Sequence, residues 1–327
     1  RALNNSLEKV LREPRAVLTV IPAVIGLLPV AGGALMSAPI VDEKGEKLGF
    51  SRPKKVYVNL WFRHLIFPIY PLAPTFIIAV ALTGITSTSL FLMVLPAVVF
   101  MAIVGYVTSF TGIKGVALEE RESPRGELDF KEFLRTFLPI MVSIVGAIGL
   151  SLLGYGLSER GLDVLIAVIM GNVALGVLAK LNFKDLISAL KSPAVYDITF
   201  ATYGAFLLRS VVSASGLPET LKSLVLSSSP SLLWVVAIST LCSFCLGSPA
   251  GGLAISISVL QGMLNITFKE VALMYVVACL GYVISPLHLC LLFTMDYFKV
   301  GWKDVYKKLL PSFIVSLVAI TIFYALI

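Results

Sequence analysis

Apolar residues run along this chain in long stretches, at about 17–40, 57–83, 89–112, 132–157, 161–180, 192–214, 231–262, 270–296 and 309–327. A helix needs roughly 20 apolar residues to cross a bilayer, and most of these stretches suit a single crossing. Two do not. The first contains Pro29-Val30-Ala31-Gly32-Gly33-Ala34-Leu35-Met36-Ser37. The second contains Pro249-Ala250-Gly251-Gly252-Leu253-Ala254-Ile255-Ser256, and the two Ala-Gly-Gly patterns lie 219 positions apart. Proline removes an amide donor and paired glycines loosen a helix. Lipid cannot satisfy the freed backbone groups, so such a break persists at membrane depth only where protein or a water-filled cavity covers it. Both stretches are predicted to be re-entrant hairpins, with tips near 29–33 and 247–252.

Two further stretches are interrupted helices. In 57–83, the run Arg63-His64-Leu65-Ile66-Phe67-Pro68-Ile69-Tyr70-Pro71-Leu72-Ala73-Pro74 packs three prolines into seven positions. The helix must unwind near 67–74. In 270–296, the run Gly281-Tyr282-Val283-Ile284-Ser285-Pro286-Leu287-His288 carries one proline after a glycine. His64 and His288 are the only two histidines in the chain. Unwound backbone offers carbonyls to a cation, and the following half-helix offers amides to an anion.

Basic residues orient the pattern, because cytoplasmic loops collect Lys and Arg. With both broken stretches as hairpins, the segments 1–16, 41–55, 113–135, 180–191 and 297–308 share one side and hold 21 basic residues, against three on the other side (Arg160, Lys222 and Lys269). If 17–40 crossed the membrane, the strongly basic segments 1–16 and 41–55 would face opposite compartments. This predicts a multi-pass protein of the cytoplasmic (inner) membrane, with the Arg1 end and loops 41–55, 113–131 and 297–308 in the cytoplasm.

Leu3, Leu7, Val10 and Leu11 repeat the helical spacing of Leu217, Leu221, Leu224 and Val225. Both sets read as amphipathic helices in the membrane interface. The chain thus divides into two repeats. Residues 1–131 hold an interfacial helix, hairpin 17–40, interrupted helix 57–83 and span 89–112. Residues 132–327 hold spans 132–157, 161–180 and 192–214, an interfacial helix at 216–229, hairpin 231–262, interrupted helix 270–296 and span 309–327. An odd number of crossings per repeat inverts one copy relative to the other. Symmetry further predicts that three spans, roughly 80 residues, precede Arg1.

Composition agrees: 57% of residues are hydrophobic and 14% charged, against roughly 25% charged in soluble domains. The mean hydropathy is +0.94. The net charge of +7 is spread over loops and forms no basic, aromatic-bearing face for nucleic acid. The four cysteines, Cys242, Cys245, Cys279 and Cys290, lie in apolar surroundings. One C-x-x-C without a second pair reads as small buried residues, and no metal-ligand spacing or phosphate-binding loop is present. Asn172 and Asp197 read as glue between helices, and Arg209 as a snorkelling side chain.

The run Leu28 to Pro39, the segment Trp61-Phe62-Arg63-His64, and Ser285-Pro286-Leu287-His288-Leu289-Cys290 together resemble the uncharacterised membrane family labelled domain of unknown function 401. The resemblance covers essentially the whole chain and implies membership of the ion transporter superfamily, alongside divalent anion:sodium symporters and gluconate and citrate carriers. It also implies an all-α, inverted-repeat, elevator-type fold and a homodimer. Dicarboxylate members of that superfamily bind a carboxylate and sodium with a Ser-Asn-Thr triplet at each tip. The matching positions here are Val30-Ala31-Gly32 and Ser248-Pro249-Ala250, so only Ser248 agrees in residue type. The departure leaves backbone groups as the main ligands at the tips.

The expected binding set is Pro29, Ala31, Gly32, Gly33, Ser37, His64, Pro68, Tyr70, Gly247, Ser248, Gly251, Gly252, Ser256, Ser285 and His288. No Asp or Glu lies in either hairpin's apolar core or in either break. The pattern therefore points to a secondary transporter of a small anionic solute, coupled to Na+ or H+, with no cofactor and no catalytic residues. Two other readings remain open on sequence alone, an intramembrane serine hydrolase using Ser248 and His288, and a passive channel. The hydrolase reading lacks a G-x-S-x-G elbow.

Overall fold

Helices make up every regular element of the computed structural model, which describes residue 11 and residues 13–27, 33–112, 130–153, 162–191 and 231–327, with scattered positions between 196 and 220. In chain order these are α1 (Pro14–Gly26), α2 (Ala34–Lys47), α3 (Arg52–Leu65), a 3-10 turn (Phe67–Ile69), α4 (Pro74–Thr83), α5 (Ser87–Phe110), α6 (Phe130–Leu152), α7 (Leu162–Ala179), α8 (Phe183–Leu190), α9 (Ser231–Leu246), α10 (Pro249–Met263), α11 (Phe268–Val283), α12 (Leu289–Phe298) and α13 (Trp302–Leu326). Among the described residues, four helical runs are long and apolar enough to cross a membrane: Arg52–Thr83, Ser87–Phe110, Leu162–Ala179 and Trp302–Leu326. The interfacial segments 1–16 and 216–229 and the span 192–214 lie wholly or largely outside the described residues.

The breaks fall at proline and glycine. Stretch 17–40 is divided between α1 and α2, which pack on each other, and 231–262 between α9 and α10, which do the same. Gly247, with φ 58°, turns the chain out of α9, and Ser248 then caps α10. The interrupted helices split as α3/α4 around residues 66–73 and α11/α12 around 284–288. Pro53 and Pro74 sit in the first turns of α3 and α4, where a missing amide costs nothing.

Three expected loops are partly helical. α2 runs on to Lys47, α8 occupies 183–190, and α13 begins at Trp302 rather than near 309. A helix ends at a cap or a glycine, not where its apolar residues end. Gly49 (φ 67°) provides that stop beyond α2.

Packing gathers the chain into two compact units that interleave in sequence. The first takes Arg1–Phe67, Pro96–Thr136 and Pro286–Ile320; the second takes Pro68–Leu95, Phe137–Ser285 and Thr321–Ile327. In the first unit, α1 and α2 both pack on α3, and α12 packs on α2 and α3. In the second, α9 and α10 both pack on α11, and α4 packs on α10 and α11. Each unit thus holds one helix pair, the first half of its own interrupted helix, and the second half of the other one.

Candidate functional site

The first unit holds Gly33, Ser37, His64 and His288 of the expected set. Its centre is a polar network among apolar helices. Asn59, fully buried on α3, donates through Nδ2 to the Ala34 carbonyl at 2.9 Å and to Thr294 Oγ1 at 3.3 Å. Ser37 Oγ donates to Asn59 Oδ1 at 2.6 Å, and Thr294 Oγ1 donates to the Cys290 carbonyl at 2.6 Å. One amide therefore ties together the start of α2, the middle of α3 and α12. A buried polar group is costly unless it is bonded, and these bonds hold the three helices in one register. Asn59 and Thr294 are absent from the expected set. Asn59 is a lone amide inside an apolar stretch, a signal that the rule on polar residues at membrane depth would have caught.

One helical turn beyond Asn59 lie Arg63 and His64, both buried. His64 Nδ1 is 2.7 Å from the Leu60 carbonyl. A carbonyl only accepts, so Nδ1 carries the hydrogen and Nε2 presents its lone pair. His64 and His288 meet edge to face, with ring centroids 4.6 Å apart and planes at 86°. His288 is fully buried and occupies the N-cap position of α12. The histidines on either side of the two breaks are therefore neighbours.

The acids of α2 are all committed to lysines. Buried Lys55 pairs with Asp42 at 2.7 Å and with Glu46. Glu43 takes hydrogen bonds from Lys47 and Lys44, and these hold its carboxyl below the usual carboxylate range. A second network braces α3 from behind. Tyr57 Oη and Ser312 Oγ lie 2.8 Å apart, Ser312 and Thr108 3.1 Å apart, and Trp61 Nε1 donates to the Met101 carbonyl at 3.0 Å.

The second unit holds Pro68, Tyr70, Gly247, Ser248, Gly251, Gly252, Ser256 and Ser285. Ser248 Oγ accepts from the Gly251 amide at 3.2 Å, so the hydroxyl is engaged as a helix cap. Ser256 Oγ donates to the Gly252 carbonyl at 2.6 Å and Ser285 Oγ to the Phe244 carbonyl at 2.5 Å. Ser285 thereby ties the end of α11's break to α9. A Cβ on Gly252 would strike the Ser243 backbone, and one on Gly281 the Thr240 carbonyl. Glycine is required there because the helices touch. Pro68 is buried and Tyr70 half-buried. Pro29, Ala31 and Gly32 lie outside the described residues.

Half-helix ends supply the remaining electrostatics. No side-chain cap closes the N-terminus of α2, α4 or α12. Helix N-termini carry partial positive charge and offer amides to anions.

A family model described as "Protein of unknown function (DUF401)" matches residues 6–327. No curated protein matches the chain.

Proposed function

The chain belongs to that family of unknown function, and from this starting point we propose that it is a secondary transporter of a small anionic solute, of the ion transporter superfamily type. The observation that carries the reading is the exchange of half-helices. Each unit pairs a hairpin with the first half of its own interrupted helix and the second half of the other, in the same pattern of contacts. Matched breaks in two halves of a membrane protein are the sequence-level mark of a transporter site. An inverted repeat accounts for the equivalence of α1, α2, α3 and α4 with α9, α10, α11 and α12.

The charge balance supports an anion. In the first unit the acids of α2 are already paired with lysines, Arg63 is a buried cation, and the N-termini of α2 and α12 add positive potential. Carbonyls at the breaks suit Na+ and the histidines suit H+, and either ion can drive uptake. In the elevator scheme, residues 17–112 and 231–327 carry the solute against a fixed scaffold of 132–214. A homodimer is part of the proposal: Asn172 is exposed on α7, and an amide facing lipid is best satisfied by a second copy. The charge asymmetry supports a cytoplasmic-membrane location with 41–55 and 297–308 inside as part of the same proposal.

The test is a thermal-shift screen of the purified protein against organic anions, oxyanions, amino acids and cations, with and without Na+. Proteoliposome uptake of the hits, under a Na+ or pH gradient, follows. At least one anion should stabilise the protein and accumulate against its gradient. Stabilisation by cationic solutes only would overturn the anion assignment. Ion currents without gradient-driven accumulation would replace the transporter with a channel.

A further inference from the structure

His64, His288 and Cys290 form a compact group inside the first unit. Their ligand atoms all lie within 4.8 Å of one another. Both imidazoles are buried, and Cys290 is 9% exposed and a free thiol. The set comes from two elements: His64 from the end of α3, and His288 and Cys290 from the first turn of α12. We propose that these three residues bind a thiophilic transition-metal ion of the Zn2+ or Cu+ class.

The chemistry of the donors selects the class. Two imidazoles and one thiolate suit Zn2+ and Cu+, whereas Mg2+ and Ca2+ need oxygen ligands that this cluster lacks. With metal–nitrogen bonds of about 2.0–2.1 Å and a metal–sulfur bond of about 2.3 Å, ligand atoms in a tetrahedral site stand about 3.3–3.6 Å apart. The group therefore closes around an ion by a movement of little more than about 1 Å per ligand, within reach of side-chain torsions. On binding, Cys290 releases its thiol proton to solvent and coordinates as the thiolate.

Two details outside the ligand atoms favour a metal over a packed pair of neutral rings. The Leu60 carbonyl fixes the His64 hydrogen on Nδ1 and turns Nε2 into the coordinating atom, the arrangement that metal-bound histidines use. Thr294, held by Asn59, donates to the Cys290 carbonyl and so fixes the backbone that carries the thiol. The Asn59 network thus doubles as the support of the ligand shell.

Charge gives the ion a further property. A Zn2+ bound by one thiolate retains a net charge of +1, and buried Arg63 adjoins the site. Three protein ligands leave a coordination position open, and an anionic oxygen is the ligand that neutralises it. That last step rests on the transporter reading; metal binding itself does not.

The experiment uses the purified full chain, stripped with a chelator and titrated with metal alone. Zn2+ is titrated against a chromophoric chelator, Ag+ stands in for Cu+, and Co2+ serves as an optical probe. Binding of one ion per chain is expected for Zn2+ or Ag+. Co2+ should show a thiolate-to-metal charge-transfer band and the strong visible bands of a tetrahedral site. Cys290→Ser and His288→Gln should each weaken binding by at least about tenfold, while Cys242→Ser/Cys245→Ser should leave it unchanged. Absence of binding by both ions, or a Co2+ spectrum without the charge-transfer band, overturns the proposal. So does wild-type affinity in a folded Cys290→Ser. The cobalt spectrum is read on the unaltered chain, so the test stands even where a variant fails to fold. Because no solute is added, a negative result here leaves the transport assay to be judged separately.

Discussion

Replacing Asn59 with leucine tests whether one amide fixes the register of α2, α3 and α12. The substitution keeps the side chain's size and removes three hydrogen bonds, at 2.6, 2.9 and 3.3 Å. The longest is weak. Hydrogen bonds between helices in membrane proteins average about 0.6 kcal/mol and reach about 1.7 kcal/mol. Neither partner hydroxyl is stranded, because Ser37 retains the Ala34 carbonyl at 3.3 Å and Thr294 retains the Cys290 carbonyl at 2.6 Å. The expected loss is therefore about 1–2 kcal/mol, the sum of three modest inter-helix bonds. A double-mutant cycle of Ser37→Ala and Asn59→Leu, followed by SDS-induced unfolding in mixed micelles, isolates the shortest bond. Its coupling should be about 0.5–1.5 kcal/mol. A coupling below about 0.3 kcal/mol, the usual error of additivity, would show that the network carries no register information.

Two further substitutions probe the second unit. Gly281→Ala drives a methyl into the Thr240 carbonyl, and overpacking of this kind should cost about 1–3 kcal/mol, read as a lower melting temperature. Wild-type melting would mean that α9 and α11 are not in direct contact. Ser248→Ala removes the cap that accepts from the Gly251 amide and should cost about 1 kcal/mol, while Ser248→Asp, another strong cap, should retain most of that stability. Equal losses in both variants would assign Ser248 a role other than capping.

The helix breaks were legible because they rest on local chemistry. Pro68, Pro71 and Pro74 cannot share a helix, and Gly247-Ser248-Pro249 spells a turn, a cap and a first helical residue. Helix extents beyond the apolar stretches were less legible: α8 and the start of α13 are built from mixed polar sequence, where hydropathy is silent and caps decide. The His64 and His288 meeting was hidden for another reason. Each was singled out beside a proline break, but no spacing rule links residues so far apart. The contact exists only once α12 packs on α2 and α3. The pairing of Asn59 with Thr294 was hidden for the same reason. Their bond spans 235 positions, and an isolated Asn or Thr in an apolar stretch has no partner until the helices are assembled. Cys290 reads as a small apolar residue until two imidazoles arrive beside it.

The interleaving of the two units carries a consequence for biogenesis. The ribosome emits Asn59 and His64 long before it reaches Thr294 and His288. At about 5–20 residues per second, the 235 positions between Asn59 and Thr294 take roughly 10–50 s to translate. During that interval α3 is inserted while one of the helices that completes its polar bonds does not yet exist. Its buried Arg63, His64 and Asn59 must be sheltered by water, lipid headgroups or an insertion chaperone. The first unit cannot mature ahead of the second, so folding of the whole membrane domain is held open until nearly the last helix is made.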